Sequence, residues 1–299
     1  MPRRIVIVTT SFPRDEGDPS GHFVQASARE LEQQGDVVVV VTPPVGGAFG
    51  WPGVVARVKD RPLRAVEAVA WIVRTRAALS RMTVDLVVAH WAVPCAWPHG
   101  VAASAELEVV SHGGDVRLLV AAPSVARRHV VRAIAARARA WRFVSATLRD
   151  EMLASLDAST RRRVDRIAVI QAPPLHLPDV AEAVARLRGE LAGMRVAVSV
   201  GRLVPGKRVE RAIEYFRSRA DLDVLYVIGD GPERARLEPW AQRGRAHVRF
   251  LGAVSRREAL TWIGAADLLI HASEAEGLST VLREAEALGT PVEVLTGAS

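Results

Sequence analysis

The chain has 299 residues, 49% of them hydrophobic, which is enough for two domains with buried cores and too many for a disordered protein. Its formal net charge of +7 favours anionic partners, and no segment approaches the ~18–20 uncharged apolar residues of a membrane-spanning helix. The N-terminal apolar run is also too short for a secretory signal, so the sequence predicts a cytoplasmic protein or one peripheral to the inner face of a membrane.

The first half of the chain alternates apolar strands with amphipathic helices. It opens with the strand RIVIVTT, a loop rich in turn formers, the helical pattern HFVQASARELEQQG and the strand VVVVVTPP. This order predicts a parallel sheet with a right-handed crossover. Helices are predicted near residues 63–82 and 94–104, with further basic helices after them. The other predicted strands are VDLVVAH, LEVVSH, AWRFVS and RIAVIQ.

A proline-rich segment at residues 172–179, APPLHLPD, interrupts this alternation and is the predicted linker. The pattern then restarts, with strands in MRVAVSVGR, LDVLYVIGD, HVRFLG, ADLLIHAS and PVEVL. The predicted fold class is α/β, with two Rossmann-like, doubly wound domains at residues 1–177 and 178–299. Ligands of such sheets bind at the carboxyl ends of the strands, and two domains facing each other would place these loops around one cleft.

The strand-end loops of the first domain contain two candidate site residues. Gly21 precedes a helix, where glycine permits a close approach and the helix start offers N–H groups to a phosphate, but a tight turn explains it equally well. His112 follows the strand LEVVS, and two glycines and Asp115 come after it. A histidine there can donate to a sugar hydroxyl or act near a reacting centre, with a structural role as the alternative. His90 receives no assignment.

The loop VGRLVPGK begins the second domain's candidate site. Arg202 and Lys207 lie five residues apart in this loop, and two such cations can bind a diphosphate from two sides. The same pair could stabilise a leaving nucleoside diphosphate without a metal. Gly231, in GDGPER at the end of the next strand, is a candidate wall of a base pocket, although by itself it is typical of a turn.

Two glutamates bracket the start of the last predicted helix. Glu276 lies in the loop after a buried strand, and Glu284 lies about two turns into the helix. The amides of Gly277, Leu278 and Ser279 between them form a helix N-terminus. The helical carboxylate could hold a ribose diol, the amides a phosphate and the loop carboxylate a sugar. The alternative is two surface acids of a Glu-rich helix.

The single cysteine and the spacing of metal-binding residue types suggest no further chemistry. Cys95 can form no internal disulfide, and its apolar and aromatic neighbours favour a small buried residue over a nucleophile. No spacing of His, Cys and carboxylate residues suggests a zinc site. Neither a metal nor a cofactor is therefore expected.

Seven segments follow the order seen in glycosyltransferase family 4, and the chain resembles these retaining GT-B glycosyltransferases from about residue 3 to residue 292. EGLSTVLRE matches the E-x7-E motif, and the others are TTSFPRDEGDPSGHFV, SHGGDV, VGRLVPGK, GDGPER, RFLGAV and EALGTPV. The resemblance implies a hexosyltransferase that moves a sugar from a nucleoside-diphosphate sugar to a glycan, glycolipid or lipid-linked acceptor. It also implies retention of the anomeric configuration and no bound metal.

The resemblance further implies roles for individual residues. Arg202 and Lys207 match the pair that binds the donor diphosphate, and Glu284 matches the carboxylate that binds the ribose. The catalytic candidates are His112, which matches a histidine near the transferred sugar, and Glu276, which resembles the donor-sugar glutamate. The candidate nucleotide-sugar-binding residues are Gly21, Arg202, Lys207, Gly231, Gly277, Leu278, Ser279 and Glu284.

The chain departs from the family pattern after EALGTPV. The family continues with a Gly-Gly-containing loop, another strand and C-terminal helices, whereas this chain ends at EVLTGAS. A five-stranded second sheet, incomplete at its C-terminus and with an exposed edge, is therefore expected. It would belong to a shortened chain or to a compact form that covers the edge as a homo-oligomer. Two functions stay open, an active glycosyltransferase and a non-catalytic nucleotide-sugar-binding protein.

Two basic segments, residues 57–81 and 125–141, interleave arginines with apolar residues at helical spacing. Such helices suit an anionic membrane surface, where enzymes of this resemblance often meet lipid-linked acceptors. The alternative, which we favour from the sequence, is an apolar face in the core and a solvated arginine face. Nucleic acid is not an expected partner, because net charge is the only argument for it and stacking aromatics are sparse.

Overall fold

A computed structural model describes residues 1–13, 18, 21–49, 54–243, 247–273 and 278–295. The chain forms two compact units, and the main division falls between Pro174 and Leu175. This division lies inside the proline-rich segment predicted as the linker, where residues 171–180 form neither helix nor strand.

The first unit is a six-stranded parallel sheet with helical connections. Its strands are β1 (Arg4–Val8), β2 (Val37–Val41), β3 (Leu86–His90), β4 (Glu106–Ser111), β5 (Ala138–Phe143) and β6 (Ala168–Ile170). Its helices are α1 (His22–Gln33), α2 (Val54–Asp60), α3 (Arg64–Leu79), α4 (Gly114–Ala121), α5 (Ser124–Arg137), α6 (Ala146–Ala154) and α7 (Ala158–Ile167). The strand order is β2-β1-β3-β4-β5-β6. Strand β2 therefore lies on one side of β1, and β3 and the later strands follow on the other side, which places a switch point between β1 and β3.

The connection between β3 and β4 differs from the helix predicted near residues 94–104. Ala92–His99 forms a wide helical segment and Gly100–Ala102 a 3₁₀ turn. Pro94 and Pro98 lie within the first segment, and the residue before each of them has an extended backbone. Proline lacks an N–H donor and disfavours helical angles in the residue before it, so the helical spacing of the sequence does not become a regular α-helix.

The second unit has the five parallel strands expected from the sequence. They are β7 (Val196–Val200), β8 (Val224–Ile228), β9 (His247–Gly252), β10 (Leu268–His271) and β11 (Val292–Val294). Its helices are α8 (Ala181–Glu190), α9 (Val209–Arg217), α10 (Arg234–Ala241), α11 (Arg256–Ala265) and α12 (Thr280–Ala287). The order β11-β10-β7-β8-β9 is doubly wound, with its switch point between β7 and β10. Strand β11 lies at one edge of this sheet, and a homo-oligomer that covers it stays a prediction.

The second sheet is buried on both faces. Leu225 and Val227 of β8 pack in a core with residues of α9 and α10, whereas Tyr226 and Ile228 pack in another with residues of α11 and α12. Successive side chains of a strand point to opposite faces, so a sheet covered on both sides needs an unbroken apolar run. This is why the sequence VLYVI shows no alternation of polar and apolar residues.

Helix α8 is not predicted from the sequence. None of its residues is fully buried, so it lacks a strong apolar stripe. It packs on α11, where a Cβ atom at Gly264 would lie 2.9 Å from Cγ2 of Val184. The Nε of Arg188 also donates to the carbonyl oxygen of Gly264 over 3.2 Å. The glycine permits this close approach, and the tertiary contact rather than helical periodicity defines α8.

Helix α3 carries apolar side chains on two faces. One face buries Ala68, Trp71, Thr75 and Leu79, and the ring of Trp71 contacts that of His99 in the segment after β3. Four other apolar side chains are 58–81% exposed. They are Leu63, just before the helix, and Val66, Val69 and Val73 on its other face. Helix α5 instead buries Val130, Val131 and Ile134, and Val125 near its start is exposed. The core-facing interpretation of the two basic segments therefore holds for α5 and is incomplete for α3.

Candidate functional site

A small pocket lies at the switch point of the second sheet, where β7 and β10 are neighbours. The carboxyl ends of these strands and the loop after β7 form its wall, which includes Gly201, Lys207, His271 and Ser273. The helical connections of the two strands leave on opposite sides of the sheet, and this separation leaves a space in which ligands of open α/β sheets bind. His271 is 7% exposed and was not assigned from the sequence.

Lys207 lies against Gly201 in this pocket. A Cβ atom at Gly201 would be 3.8 Å from Cδ and Cε of Lys207, so the aliphatic part of the lysine packs on the glycine backbone. Lys207 ends the 3₁₀ turn Pro205–Lys207, and its N–H donates to the carbonyl oxygen of Val204 over 2.9 Å. The loop therefore holds the lysine stem at the strand end, where an ammonium group suits a phosphate.

Arg202 does not share this position. It follows β7 directly, but its side chain is exposed and, among the described residues, it is not part of the pocket wall. The next residue, Leu203, is buried and anchors the loop, since its N–H donates to the carbonyl oxygen of Asp230 over 2.9 Å. Diphosphate contact by Arg202 from a second side stays a prediction.

Gly231 allows two strand-end loops to pack together. A Cβ atom at this position would lie 2.3 Å from the carbonyl oxygen of Leu203, a separation that real Cβ atoms do not adopt. The N–H of Gly231 donates to Oδ1 of Asp230 over 2.7 Å. Backbone packing accounts for this glycine, and a role in a base pocket stays a prediction.

The glutamate motif lies partly outside the described residues. Glu276 and Gly277 belong to residues 274–277, which the structure does not describe. Leu278 is half-buried, and Ser279 is buried at the N-terminal end of α12. A role of these residues in binding a phosphate stays a prediction.

Glu284 is not a surface acid. Its side chain is buried, and its Oε1 accepts hydrogen bonds from Nε and Nη2 of Arg256 over 3.3 and 3.0 Å. Nη2 of Arg256 also donates to the carbonyl oxygen of His176 in the linker over 2.8 Å. Burial raises the pKa of Glu284, and the neighbouring Arg256 opposes this shift. The surface interpretation is therefore wrong for Glu284, while Glu276 lies outside the described residues. Ribose binding by Glu284 stays a prediction.

In the first unit, Gly21 is required by the backbone. Its φ is +70°, and a Cβ atom would lie 2.4 Å from the carbonyl oxygen of Ser11. The same carbonyl accepts a hydrogen bond from Oγ1 of Thr9 over 2.9 Å. These contacts pack the loop after β1 against the start of α1 and account for the glycine as a tight turn. Phosphate binding by Gly21 stays a prediction.

His112 lies in an aromatic cluster that follows β3 and β4. Its Nε2 is 2.9 Å from Nδ1 of His90, and the two rings are nearly parallel, at 11°. Its ring centroid lies 4.6 Å from that of Phe23 and 5.0 Å from that of Trp91. Trp91 has a φ of +76°, a region that non-glycine residues seldom adopt and that is enriched at functional sites. The tertiary structure thus surrounds the predicted site histidine with three unassigned rings.

Asp115 holds the turn that carries His112. Its side chain is buried, and Oδ1 accepts from the N–H groups of His112 and Gly113 over 3.1 and 3.2 Å. Oδ2 accepts from the N–H of Ala92 over 2.8 Å. One carboxylate therefore connects the start of α4 to the segment after β3. Its position at a helix start was a sequence signal for this role.

Burial keeps both histidines of the pair neutral. It lowers the pKa of His112 to about 3 and lowers the pKa of His90 well below its ordinary value, with a smaller contribution from His112. A sequence signal for His90 existed, because DLVVAH and LEVVSH both end in histidine. That the two strands are neighbours, with His90 opposite Val110, is seen only in the tertiary structure.

Cys95 is confirmed as a buried residue, and burial raises the pKa of its thiol well above the ordinary value, so it is not a reactive thiolate. Within the described ranges, no three side chains of His, Cys, Asp or Glu are grouped as metal ligands. None of the helices in those ranges combines the length and hydropathy of a transmembrane span.

The second unit matches a known family. Residues 188–295 match the family model described as glycosyl transferases group 1. The chain is also 30% identical over 213 residues to TuaC of Bacillus subtilis (strain 168), which is named as a teichuronic acid biosynthesis glycosyltransferase. That match covers 70% of this chain and 52% of TuaC, so the chain spans about half the length of this curated relative.

Two solved structures have the same fold over nearly the whole chain. Sucrose-phosphate synthase from Thermosynechococcus elongatus aligns with a TM-score of 0.69 and 20% identity, over 98% of this chain and 81% of its own. Anabaena HepE in complex with UDP-glucose aligns with a TM-score of 0.64 and 17% identity, over 98% and 80%. At these identities the likeness concerns the fold alone. The chain thus has the two Rossmann-like units of a GT-B fold, and its second unit carries a glycosyl transferases group 1 segment.

Proposed function

We propose that the chain is a retaining glycosyltransferase of the hexosyltransferase type, which moves a sugar from a nucleoside-diphosphate sugar to a glycan, glycolipid or lipid-linked acceptor. The observation that carries the proposal is the position of Lys207, packed on Gly201 in the switch-point pocket of the segment that matches glycosyl transferases group 1. TuaC, which is named as a glycosyltransferase, and the HepE complex with UDP-glucose support it. Retention and the acceptor class rest on the resemblance to family 4.

In this proposal Lys207 and Arg202 bind the donor diphosphate and stabilise the negative charge that develops as the bond to the anomeric carbon breaks. Glu284 binds the ribose diol, and Arg256 favours the ionised form of this buried carboxylate. The acceptor oxygen forms the new bond on the same face of the sugar, and its proton passes to the leaving phosphate oxygen. His112 binds a hydroxyl of the transferred sugar. Glu276, outside the described residues, is the proposed contact to the donor sugar.

The test is a thermal-shift screen of the full chain with nucleoside diphosphates and their sugars, followed by product analysis. A donor at a hundred times its Kd should stabilise the protein by about 2.7 kcal/mol, which raises Tm by several degrees. With an acceptor, release of nucleoside diphosphate and an anomeric proton of unchanged configuration by NMR are expected.

No thermal shift with any donor would contradict the proposed function, and an inverted product would contradict retention. Binding without release of nucleoside diphosphate would instead support the non-catalytic nucleotide-sugar-binding protein. The variant Lys207→Ala serves as the control for the site, because any shift that it retains in full arises elsewhere.

We also propose that the exposed apolar side chains of α3 and Leu63 contact an anionic membrane, where a lipid-linked acceptor would lie. Leu63, Val66, Val69 and Val73 form this surface, and exposed basic residues adjoin it, among them Lys59, Arg61 and Arg74. A helix with an apolar face and basic flanks binds in the plane of the interface, and its affinity rises with anionic lipid.

The membrane proposal predicts that Val66→Asp/Val73→Asp weakens binding to anionic vesicles about ten- to hundredfold, because two apolar side chains become charged. Co-sedimentation with vesicles containing or lacking phosphatidylserine measures this. The matched control is Val125→Asp, which replaces an exposed valine on α5 and should bind like the unaltered chain. Binding that ignores anionic lipid and salt, or that survives in the α3 variant, would rule out this surface.

A further inference from the structure

We propose that His90 fixes the tautomer of His112, so that His112 carries its ring proton on Nδ1 and offers a hydrogen-bond donor, not a base, to its ligand. His90 is then a positioning residue that acts through His112. The tautomer is a property of the ligand-free chain. Only the identity of the ligand, a sugar hydroxyl, rests on the proposed function.

The first step is the hydrogen bond between the two rings. Nδ1 of His90 and Nε2 of His112 are 2.9 Å apart, a hydrogen-bond distance. One of these two nitrogens therefore carries a proton and donates, and the other is unprotonated and accepts the hydrogen bond. Both rings are neutral, because burial lowers both pKa values. Each ring therefore carries one proton, on one of its two nitrogens.

The second step concerns the other nitrogen of His90. His90 is 1% exposed, and its Nε2 is buried without a hydrogen-bond partner among the residues that the structure describes. A proton on Nε2 would leave a buried N–H group with no acceptor, an arrangement that is rare in native structures. A proton on Nδ1 leaves only a lone pair without a partner and donates to Nε2 of His112. The second arrangement is therefore the favoured one.

The third step gives the state of His112. Its Nε2 accepts the hydrogen bond from His90, so its own proton lies on Nδ1. This nitrogen can donate but cannot accept a proton, and Nε2 is already engaged. The backbone holds the geometry, because His90 ends β3 opposite Val110 and Asp115 accepts the N–H of His112. A ligand of His112 must therefore present an acceptor atom, as a sugar hydroxyl oxygen does.

The experiment reads the tautomer by long-range ¹H–¹⁵N correlation of histidine rings in the ligand-free, ¹⁵N-labelled full chain at neutral pH. The expected spectrum shows Nδ1 protonated and Nε2 unprotonated in both His90 and His112. A wild-type spectrum with His112 protonated on Nε2 would overturn the proposal. This measurement needs no variant to fold and no donor to bind, so failure of the donor screen leaves it intact.

Variants then test the assignment to His90. In His90→Asn the amide nitrogen can replace the Nδ1 donor, and His112 should keep its Nδ1 proton. In His90→Leu the donor is lost, and His112 should shift toward the Nε2-protonated form. The matched control His129→Leu removes an exposed histidine and should leave the His112 signals unchanged. An unaltered His112 tautomer in folded His90→Leu would show that another group sets it.

Discussion

Replacing Lys207 by alanine is expected to weaken the binding of a nucleoside diphosphate about 10- to 150-fold. A charge-assisted hydrogen bond contributes about 1.5–3 kcal/mol, and each 1.4 kcal/mol changes the affinity tenfold. We expect a loss of affinity of this size because the aliphatic stem of Lys207 packs on Gly201 in the pocket wall. Little side-chain entropy is therefore lost when the lysine binds the diphosphate. Lys207→Arg, which keeps the charge on a different shape, should lose less.

Calorimetric titration of the full chain with UDP, GDP and ADP measures the effect. The chain offers a matched control, because its only other lysine, Lys59, is exposed on α2, and Lys59→Ala should bind normally. Arg202→Ala should have a smaller effect than Lys207→Ala, since Arg202 is exposed and its charge is screened. Unchanged affinity in Lys207→Ala, with the protein folded, would place the diphosphate elsewhere.

Replacing Arg256 by methionine is expected to destabilise the second unit by about 3–5 kcal/mol at neutral pH, the usual effect of removing one partner of a buried ion pair. The side chains of Arg256 and Glu284 are only 14% and 8% exposed. The substitution leaves the carboxylate buried without this cation, and the carbonyl oxygen of His176 loses a donor. Such a loss is a large fraction of the ~5–15 kcal/mol that stabilises a typical domain.

The effect of Arg256→Met should depend on pH. The pKa of Glu284 lies above its ordinary 4.5 in the folded chain, so the native state holds this proton more tightly than the unfolded state does. Stability from this group is complete below pH 4.5 and is lost as the pH rises through the folded pKa. Removal of Arg256 raises that pKa further. The variant should therefore lose more stability at pH 7 than at pH 5.

Urea unfolding at pH 5 and pH 7 measures both effects. The double variant Arg256→Met/Glu284→Leu should recover most of the loss, because no charge remains buried. The control Arg149→Met breaks the more exposed pair with Asp150, whose side chains are 32% and 60% exposed, and should change stability by less than about 1 kcal/mol. Equal destabilisation of the single and double variants at both pH values would mean that lost packing, not the buried charge, is the cause.

Many elements of the fold were predictable because their physical signals are local. The strand VLYVI is apolar throughout since both of its faces are covered, and periodicity in the sequence carries that information directly. Helix α8 was not predictable, because its contact with Gly264 of α11 defines it. The helix expected near residues 94–104 is irregular because Pro94 and Pro98 outweigh the apolar spacing.

Some residues of the candidate site were likewise predictable from the local sequence, and others were not. Lys207 was predictable from a Gly/Pro loop at a strand end, and the structure places it in the switch-point pocket. Arg256 was not, because nothing near it in the sequence marks it as the partner of Glu284, 28 residues away. The exposed apolar residues of α3 were also unforeseen, because periodicity identifies an apolar face but not which face is covered.

The sequence by itself determined the α/β class, the two-domain plan, the five strands of the second sheet and the loops that reach its carboxyl edge. Strand apolarity, turn residues and glycines act over a few positions, so they can be read along the chain. Only the tertiary structure decided that His90 meets His112 and that Glu284 is buried against Arg256. Hydrogen bonding, desolvation and ion pairing depend on distances through space between residues far apart in sequence, and the chemistry of both side chains is set by those distances.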